Sequence, residues 1–333
     1  MARRRIAIIG AGLAGAACAG VLTQAGHSCR LFDKGRGPGG RLSTRRVETP
    51  LGEVSFDHGA QFITARGAAF SAFMQRARDA GAAAVWDARL VSIDRRGNVE
   101  PLRQEDRWIG VPGMNALVKH ALDGLDVRFG ARVTGLKGGA GAWTLVLEDG
   151  GREGPFDAVA VTIPPEQMID LLARTDGDFS TQIAQANGAR IGPCQAVMTV
   201  LDAPFDPGFD GAKLYGGALA WMARMGSRPG RTVPEAWILH ATTGWSRANL
   251  EAHGDDVIRA LIEEAHIRFG FPARPVWSAA HRWRYALSEQ APGSAFALDE
   301  TGTVGCAGDW RLGGRAELAW DSGAALGEAL AKA

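Results

Sequence analysis

Hydrophobic and polar positions along the chain alternate between two periods, and the first change of period comes within the opening forty residues. Ile6-Ala7-Ile8-Ile9 is a short apolar run of strand type, followed at once by Gly10-Ala11-Gly12-Leu13-Ala14-Gly15. An Ala-rich stretch to about Gln24 reads as a helix closed by Gly26, and Ser28 to Phe32 as a second strand ending at Asp33. Downstream, Phe70, Phe73 and Ala77 fall at helical spacing within 69–81, and Met114 to Leu122 predicts another helix. Leu90–Ile93 and Asn98-Val99 flank Asp94-Arg95-Arg96-Gly97 as a hairpin would. Asp126 to Leu136 alternates like a single strand, as does Trp143 to Glu148, and Phe156 to Thr162 is a continuous apolar run of buried-strand type ending at Pro164-Pro165. An amphipathic helix is expected over Asp255–Phe269, with Val257, Leu261, Ile262 and Ala265 on one face. Strand character returns over Gly302–Asp309, and a last helix begins near Ala316.

The opening strand, glycine-rich turn, helix, second strand and terminal acid form a dinucleotide fingerprint, with Asp33 at about the 20-residue distance the pattern requires. Gly10 permits the tight turn, Gly12 lets the backbone approach a pyrophosphate, and Gly15 allows close packing of helix on strand. The helix N-terminus then offers free N–H groups and the positive end of its dipole to the phosphates. Asp33 would accept hydrogen bonds from a ribose and repel a 2′-phosphate, which points to NAD or FAD. The next segment, Lys34-Gly35-Arg36-Gly37-Pro38-Gly39-Gly40-Arg41, presents backbone N–H groups together with the charged fork of Arg41. A NAD dehydrogenase needs no such second element, so it tilts the cofactor towards FAD. Arg3-Arg4-Arg5 before an apolar stretch imitates a secretory leader, but the fingerprint uses those apolar residues fully.

The length of 333 residues allows two domains with ample core. The formal charge of +1 gives no field that would favour nucleic acid or an anionic membrane. Cys18, Cys29, Cys194 and Cys306 lack CxxC spacing and suit reduced thiols in a cytoplasmic protein, and no uninterrupted apolar run is long enough to cross a bilayer. From Pro165 to about Arg284 the composition shifts: Trp221, Trp237, Trp245, Trp277 and Trp283 cluster with Met222, Met225, Tyr215 and Tyr285. This predicts a second, antiparallel-rich domain whose aromatics serve either as core or as the lining for a flat ligand. The histidines show no ligand-like pairing, so no metal is expected. His240 and His281 fit either a substrate contact or a buried, hydrogen-bonded imidazole.

The combination of GxGxxG, FDKGRGPGGRLSTRR and DHGAQFITAR resembles the flavin amine-oxidase superfamily and, within it, the bacterial renalases. The likeness continues through Arg107–Met114 (RWIGVPGM), Trp237–Thr242 (WILHAT), Trp245-Ser246, Ala280–Trp283 (AHRW), Gly308-Asp309-Trp310 and Gly314–Gly323. It implies a Rossmann-like α/β FAD-binding domain assembled from residues 1–70, 100–164 and 290–333. An α+β substrate domain would comprise 71–99 and 165–289. FAD, bound non-covalently, would be held by Gly10, Gly12, Gly15, Asp33, Lys34, Gly40, Arg41, Gln61, Phe62, Val133, Asp309 and Ala316. Spacing alone reads Val133 as an ordinary core residue; the resemblance puts it near the adenine. Asp309 would lie by the ribityl and phosphate chain, and the helix starting at Ala316 would point its N-terminus at the flavin pyrimidine edge.

The activity so implied is oxidation of 2- or 6-dihydro isomers of NAD(P)H, with dioxygen as the second substrate and hydrogen peroxide as its product. Phe62, Thr64, Arg66 and Arg315 match positions near the substrate, and Gln195 and His240 join them as pocket candidates. Two residues depart from the pattern: Phe62 stands where renalases carry Tyr, and Gln195 where bacterial relatives tend to have an aromatic. An amine oxidase or desaturase is the alternative, but Ile191–Val200 lacks the lysine many of them carry near flavin N5, and no cysteine matches a covalent flavin link. A flavin-binding protein without turnover is the third reading. Nothing in the sequence sets the oligomeric state, and a monomer is compatible with it.

Overall fold

A computed structural model describes residues 2–333. The first strand, Arg5–Ile9, is central in a six-stranded sheet, parallel to Ser28–Phe32 on one side and Ala158–Val161 on the other. Asp126–Arg128 extends the sheet beyond Ser28–Phe32. Val304–Ala307 and an antiparallel edge strand, Phe296–Leu298, extend it on the opposite side. Both faces are covered at its centre, which is why Ile6–Ile9, Ala158–Val161 and Val304–Ala307 are apolar and buried throughout rather than alternating. Segments from the beginning, middle and end of the chain thus share one sheet.

The Leu13–Gln24 helix is small-residue-rich because it is buried on nearly every side. The C-terminal helix, Ala316–Lys332, packs against it. A Cβ at Gly323 would stand 2.0 Å from the Ala14 carbonyl oxygen, so glycine sets the approach of the two backbones. A three-stranded antiparallel sheet (Val133–Lys137, Trp143–Leu147, Arg152–Phe156) lies over one side of the nucleotide unit.

The seven-stranded sheet runs in the order Trp277–Gln290, Arg190–Val200, Ala236–Ala241, Leu219–Arg224, Gly211–Leu214, Leu90–Ile93, Val99–Pro101. Its pairs are antiparallel except for Gly211–Leu214 with Leu90–Ile93. The Gly254–Phe269 helix covers one face with Val257, Leu261, Ile262 and Ala265, the residues its periodicity selects. On the other face, Ala196, Met198, Val200, Trp221 and Ile238 join the same apolar core as Phe56, Ile63 and Met114 from the nucleotide unit.

Two expected strands turn out differently. The 126–136 stretch is divided between two sheets, broken at Gly130, whose φ of +65° reverses the chain. The 156–162 run contains the end of one strand and the start of another, separated at Asp157, whose carboxylate accepts the Arg5 N–H.

Candidate active site

The three glycines of the turn stand in different surroundings. Gly10 sits at φ +106°, where a Cβ would also strike the Thr162 carbonyl at 2.9 Å. A Cβ at Gly15 would come 2.0 Å from the Gly10 oxygen, whereas one at Gly12 would meet nothing within 4 Å. Two glycines therefore serve internal packing and the third faces open space at the N-terminus of the Leu13–Gln24 helix, where no side chain caps the N–H groups. Asp33 fixes the turn: one carboxylate oxygen accepts the Ala11 N–H at 2.8 Å and the other the Gly35 N–H at 2.7 Å. Their remaining lone pairs are available to a ribose.

The glycine-rich loop leads into a short 3-10 turn at Gly40–Leu42, with Gly40 exposed. Arg41 makes a two-pronged ion pair with Asp309, which is itself buried at the end of the Val304–Ala307 strand. Lys34 donates to Gln167 at 2.9 Å. Glu166, close enough to Arg41 to feel its charge, has its carboxyl pushed up by burial. Val133 is buried, paired with Leu147, in a cluster containing Ile9 and Phe32. Ala316 opens the C-terminal helix, whose N-cap residue Arg315 supplies no side-chain cap for its first N–H groups. Free N–H groups at two helix ends, an uncrowded Gly12 and a half-buried Arg41 paired with buried Asp309 fit a large anionic nucleotide such as FAD.

Across from this end, the DHGAQF segment follows the Gly52–Asp57 strand. Gln61 is turned inwards: its amide donates to the Asp57 and Gly59 carbonyls, and its Oε1 and backbone carbonyl accept from Arg228 at 2.7 and 2.8 Å. Any contact of Gln61 with a cofactor would thus fall to its backbone. Phe62, half-buried, lies 5.7 Å from Trp221 and beneath Arg107, whose guanidinium carbon is 5.4 Å from the ring centroid. Thr64 is half-buried just beyond. Arg66 extends into solvent towards Glu105, while its backbone N–H donates to buried Glu317 at 2.9 Å. Glu317 also pairs with Arg315, so Arg66 and Arg315 meet at one carboxylate at the start of the C-terminal helix.

Gln195 is buried and serves as a tether. Its backbone N–H donates to Ser246 and its side-chain amide to the Asn249 carbonyl, both at 2.9 Å. The neighbouring Ala196 lies between His240 and His281 in strand register. His240 Nε2 and Trp283 Nε1 both reach the carbonyl of His58, at 3.1 and 2.8 Å. The His58 ring stacks on Trp283 at 5.1 Å and meets His281 edge-on at 4.6 Å. Burial, with neighbouring positive charge, pulls His58 down to about 3 and His240 to about 4, so these imidazoles are neutral at pH 7.

Sequence reasoning did not single out Arg228 and Arg231. Both are buried and both pair with Asp57, which also accepts from Thr44 Oγ1 and the Met114 N–H. Arg228 lies 4.7 Å over the Trp86 ring, and burial lowers its guanidinium to about 10. Their local sequence, Arg228-Pro229-Gly230-Arg231, reads as a solvated turn and carries no signal of burial. The four thiols are free; burial pushes Cys29 up to about 11 and Cys194 to about 12. Among the described residues no helix is long and apolar enough to cross a membrane.

The fold and the residues gathered at this site, with two family matches, give the class of protein: a flavin-dependent oxidoreductase. Residues 8–77 match the NAD(P)-binding Rossmann-like domain, and residues 79–323 match the flavin containing amine oxidoreductase family. The chain belongs to that family, and its cofactor is FAD, bound non-covalently. Cyclohexylamine oxidase from Brevibacterium oxydans IH-35A has a similar structure, with a TM-score of 0.76 and 14% identity over 99% of both chains. A protein from Exiguobacterium sp. 255-15 described as a putative protoporphyrinogen oxidase also scores 0.76, at 13% identity, over 100% of this chain and 99% of that one. Putrescine oxidase, solved with putrescine bound, gives 0.72 at 13% identity over 99% and 98%. At such identities the likeness establishes the fold.

Proposed function

We propose that the protein oxidises dihydronicotinamide dinucleotides carrying the extra hydrogen at the 2- or 6-position of the ring, returning NAD(P)+ and, with dioxygen, hydrogen peroxide. The observation that carries this reading is the charge on the substrate side of the cleft. Arg45, Arg66, Arg107, Arg228 and Arg315 surround the segment from His58 to Arg66, and the carboxylates nearest them, Asp57, Glu105 and Glu317, are already engaged by these or neighbouring arginines. An arginine-rich surround suits a substrate with a pyrophosphate and opposes an ammonium.

Proton bookkeeping supports the same reading. The ring nitrogen lone pair of a dihydronicotinamide expels hydride and the product is an aromatic cation, so no side chain has to remove a proton. The imidazoles of His58 and His240 are held neutral, and the Arg190–Val200 strand carries no lysine. Bound FAD supplies the hydride acceptor and the route to dioxygen. The chain's own task is to stack a flat ring and fix its substituents, which the aromatic side chains of Phe62, Trp221 and Trp283 can do, with Thr64, Arg66, His240 and Arg315 as polar contacts and Gln195 holding the Thr243–Ala248 helix in place. Buried, weakly acidic thiols agree with a cytoplasmic setting.

Anaerobic bleaching of the FAD-loaded protein tests the proposal. Rapid loss of the flavin band with 2- or 6-dihydro isomers, and slow or no loss with the ordinary 4-isomer, is the expected result. Bleaching by amines such as putrescine or cyclohexylamine, with the dinucleotides inert, would replace it with an amine oxidase reading.

A further inference from the structure

Glu317 is the acid in the first turn of the C-terminal helix, and its carboxylate is engaged from two distant parts of the chain. One oxygen accepts the backbone N–H of Arg66, at 2.9 Å, and that of Gly67. The other pairs with the guanidinium of Arg315, the N-cap residue of the same helix. Glu317 is 3% exposed, whereas the Arg315 side chain is 35% exposed, so a buried anion holds a cation that remains open to solvent.

The surroundings fit this arrangement. Arg66 ends the DHGAQFITAR segment, which carries Phe62 and Thr64, and Gly67 is the N-cap of the Ala68–Asp79 helix. A Cβ at Gly67 would stand 3.1 Å from the carboxylate oxygen, so glycine leaves room for it. On the other side, a Cβ at Gly314 would stand 3.1 Å from the Ser288 backbone nitrogen. The turn before Arg315 therefore lies against the Trp277–Gln290 strand, which also bears Trp283. Asp321 is near enough to feel the Arg315 charge, yet among the described residues Glu317 is the carboxylate paired with it. One buried acid thus joins the substrate-side segment, the start of the C-terminal helix and Arg315.

Packing alone does not explain a charge at this position. Apolar side chains of the same volume often stabilise a core as well as a buried ion pair does, and the best-attested use of such a pair is to fix one arrangement among several. Without Glu317, Arg315 would regain the freedom of a long side chain, with Asp321 as another partner.

We infer that Glu317 is a positioning residue: it holds Arg315 and the Arg66–Gly67 backbone in one relation, so that a reductant is presented to the bound FAD in a reactive orientation. The inference deepens the proposed function and rests on it only for the identity of the reductant. Misplacement by about 1 Å can slow a reaction about a hundredfold.

Glu317→Gln separates the two arms. Its amide oxygen still accepts from Arg66 and Gly67, but its NH2 group faces another donor and releases Arg315. The rate is measured as anaerobic flavin bleaching by whichever reductant the FAD-loaded protein accepts, dihydronicotinamide or amine. Glu317→Gln is expected to lower the maximal rate about tenfold or more, with half-saturation changed less than about threefold. Arg315→Met should also slow bleaching, and the double variant should be no slower than Arg315→Met alone, because both act through one contact. Melting of the FAD-free protein gives a readout without turnover. Arg315→Met leaves a buried carboxylate without its cation, so it should melt lower than the unaltered protein, and adding Glu317→Gln should recover part of that loss.

A Glu317→Gln protein that bleaches at the unaltered rate would overturn the inference, as would rate losses that multiply in the double variant or a double variant that melts below Arg315→Met. Loss of folding in Glu317→Gln, with its backbone contacts retained, would make Glu317 a structural residue and overturn it too. If amines bleach the flavin, dinucleotides do not, and the two variants are coupled as described, the inference stands and the proposed function falls. Bleaching by 2- or 6-dihydro isomers at a rate indifferent to Glu317→Gln gives the reverse. A flavin that neither class bleaches would overturn both.

Discussion

At the scale of single residues, the glycine turn separates binding from folding. Gly12 and Gly15 differ by three positions, yet an added Cβ meets open space at the first and the Gly10 carbonyl, 2.0 Å away, at the second. Gly12 also has an ordinary extended conformation, with φ −86°, that alanine adopts without strain. Gly12→Ala should therefore leave the urea midpoint of the FAD-free protein nearly unchanged and weaken FAD binding about tenfold or more, because the methyl enters the space a pyrophosphate must approach. Gly15→Ala should lower stability by about 1–3 kcal/mol through overpacking. Flavin fluorescence quenching and urea unfolding on both variants measure the two effects. Equal losses of FAD affinity without any loss of stability would contradict the assignment of Gly15 to packing.

At the scale of elements, the joint between the Gly52–Asp57 strand and the turn following Met225–Ser227 holds the DHGAQF segment in place. Asp57 is the only carboxylate paired with Arg228 and Arg231 among the described residues, and all three side chains are at most 2% exposed. Removing one partner of a buried ionic group leaves charge without compensation, which typically costs about 3–5 kcal/mol. Asp57→Ala should destabilise by that amount in chemical unfolding; a loss below about 1 kcal/mol would show that the arginines find other partners. Nothing in the linear sequence announces this joint. Asp57 lies in a motif, but Arg228 and Arg231 flank Pro229-Gly230, a pair that locally specifies an exposed turn. Elements whose own composition or periodicity decides their environment, the Ala-rich Leu13–Gln24 helix and the amphipathic Gly254–Phe269 helix, were legible to within a residue or two. The 126–136 stretch was not, because alternation says which faces are buried but not which sheet receives each half. The candidate site divides in the same way. The turn glycines follow from local motif chemistry, whereas the pairing of Arg41 with Asp309 and the internal partners of Gln61 and Gln195 are revealed only by tertiary contacts.

At the scale of the whole molecule, the buried Arg228 guanidinium and the neutral imidazoles of His58 and His240 share one low-dielectric region, and this sets how stability varies with pH. His58 and His240 ionise in the folded protein only near 3 and 4, against 6.5 for a free imidazole. Burial is the main cause, and positive charge from Arg45, Arg228 and His281 adds to it. Between about pH 6.5 and 4 the unfolded chain therefore holds protons on these histidines that the folded chain does not, so stability rises with pH across that window and falls as the solution is acidified. Each histidine contributes a slope of ~1 kcal/mol per pH unit there. Above pH 6.5 neither state is protonated and the contribution is flat. Urea midpoints of the FAD-loaded protein at pH 7, 6 and 5 should fall progressively, with most of the loss below 6.5. His240→Gln, which keeps a donor for the His58 carbonyl but cannot be charged, should flatten the curve, with His58 and the likewise depressed His281 supplying the slope that remains. A profile unchanged by that substitution would mean that water reaches His240 in the folded state and that the cleft is less dry than its aromatic lining implies. The arginine-rich surround would then also be screened, and the argument that it selects a pyrophosphate over an ammonium would lose its physical basis.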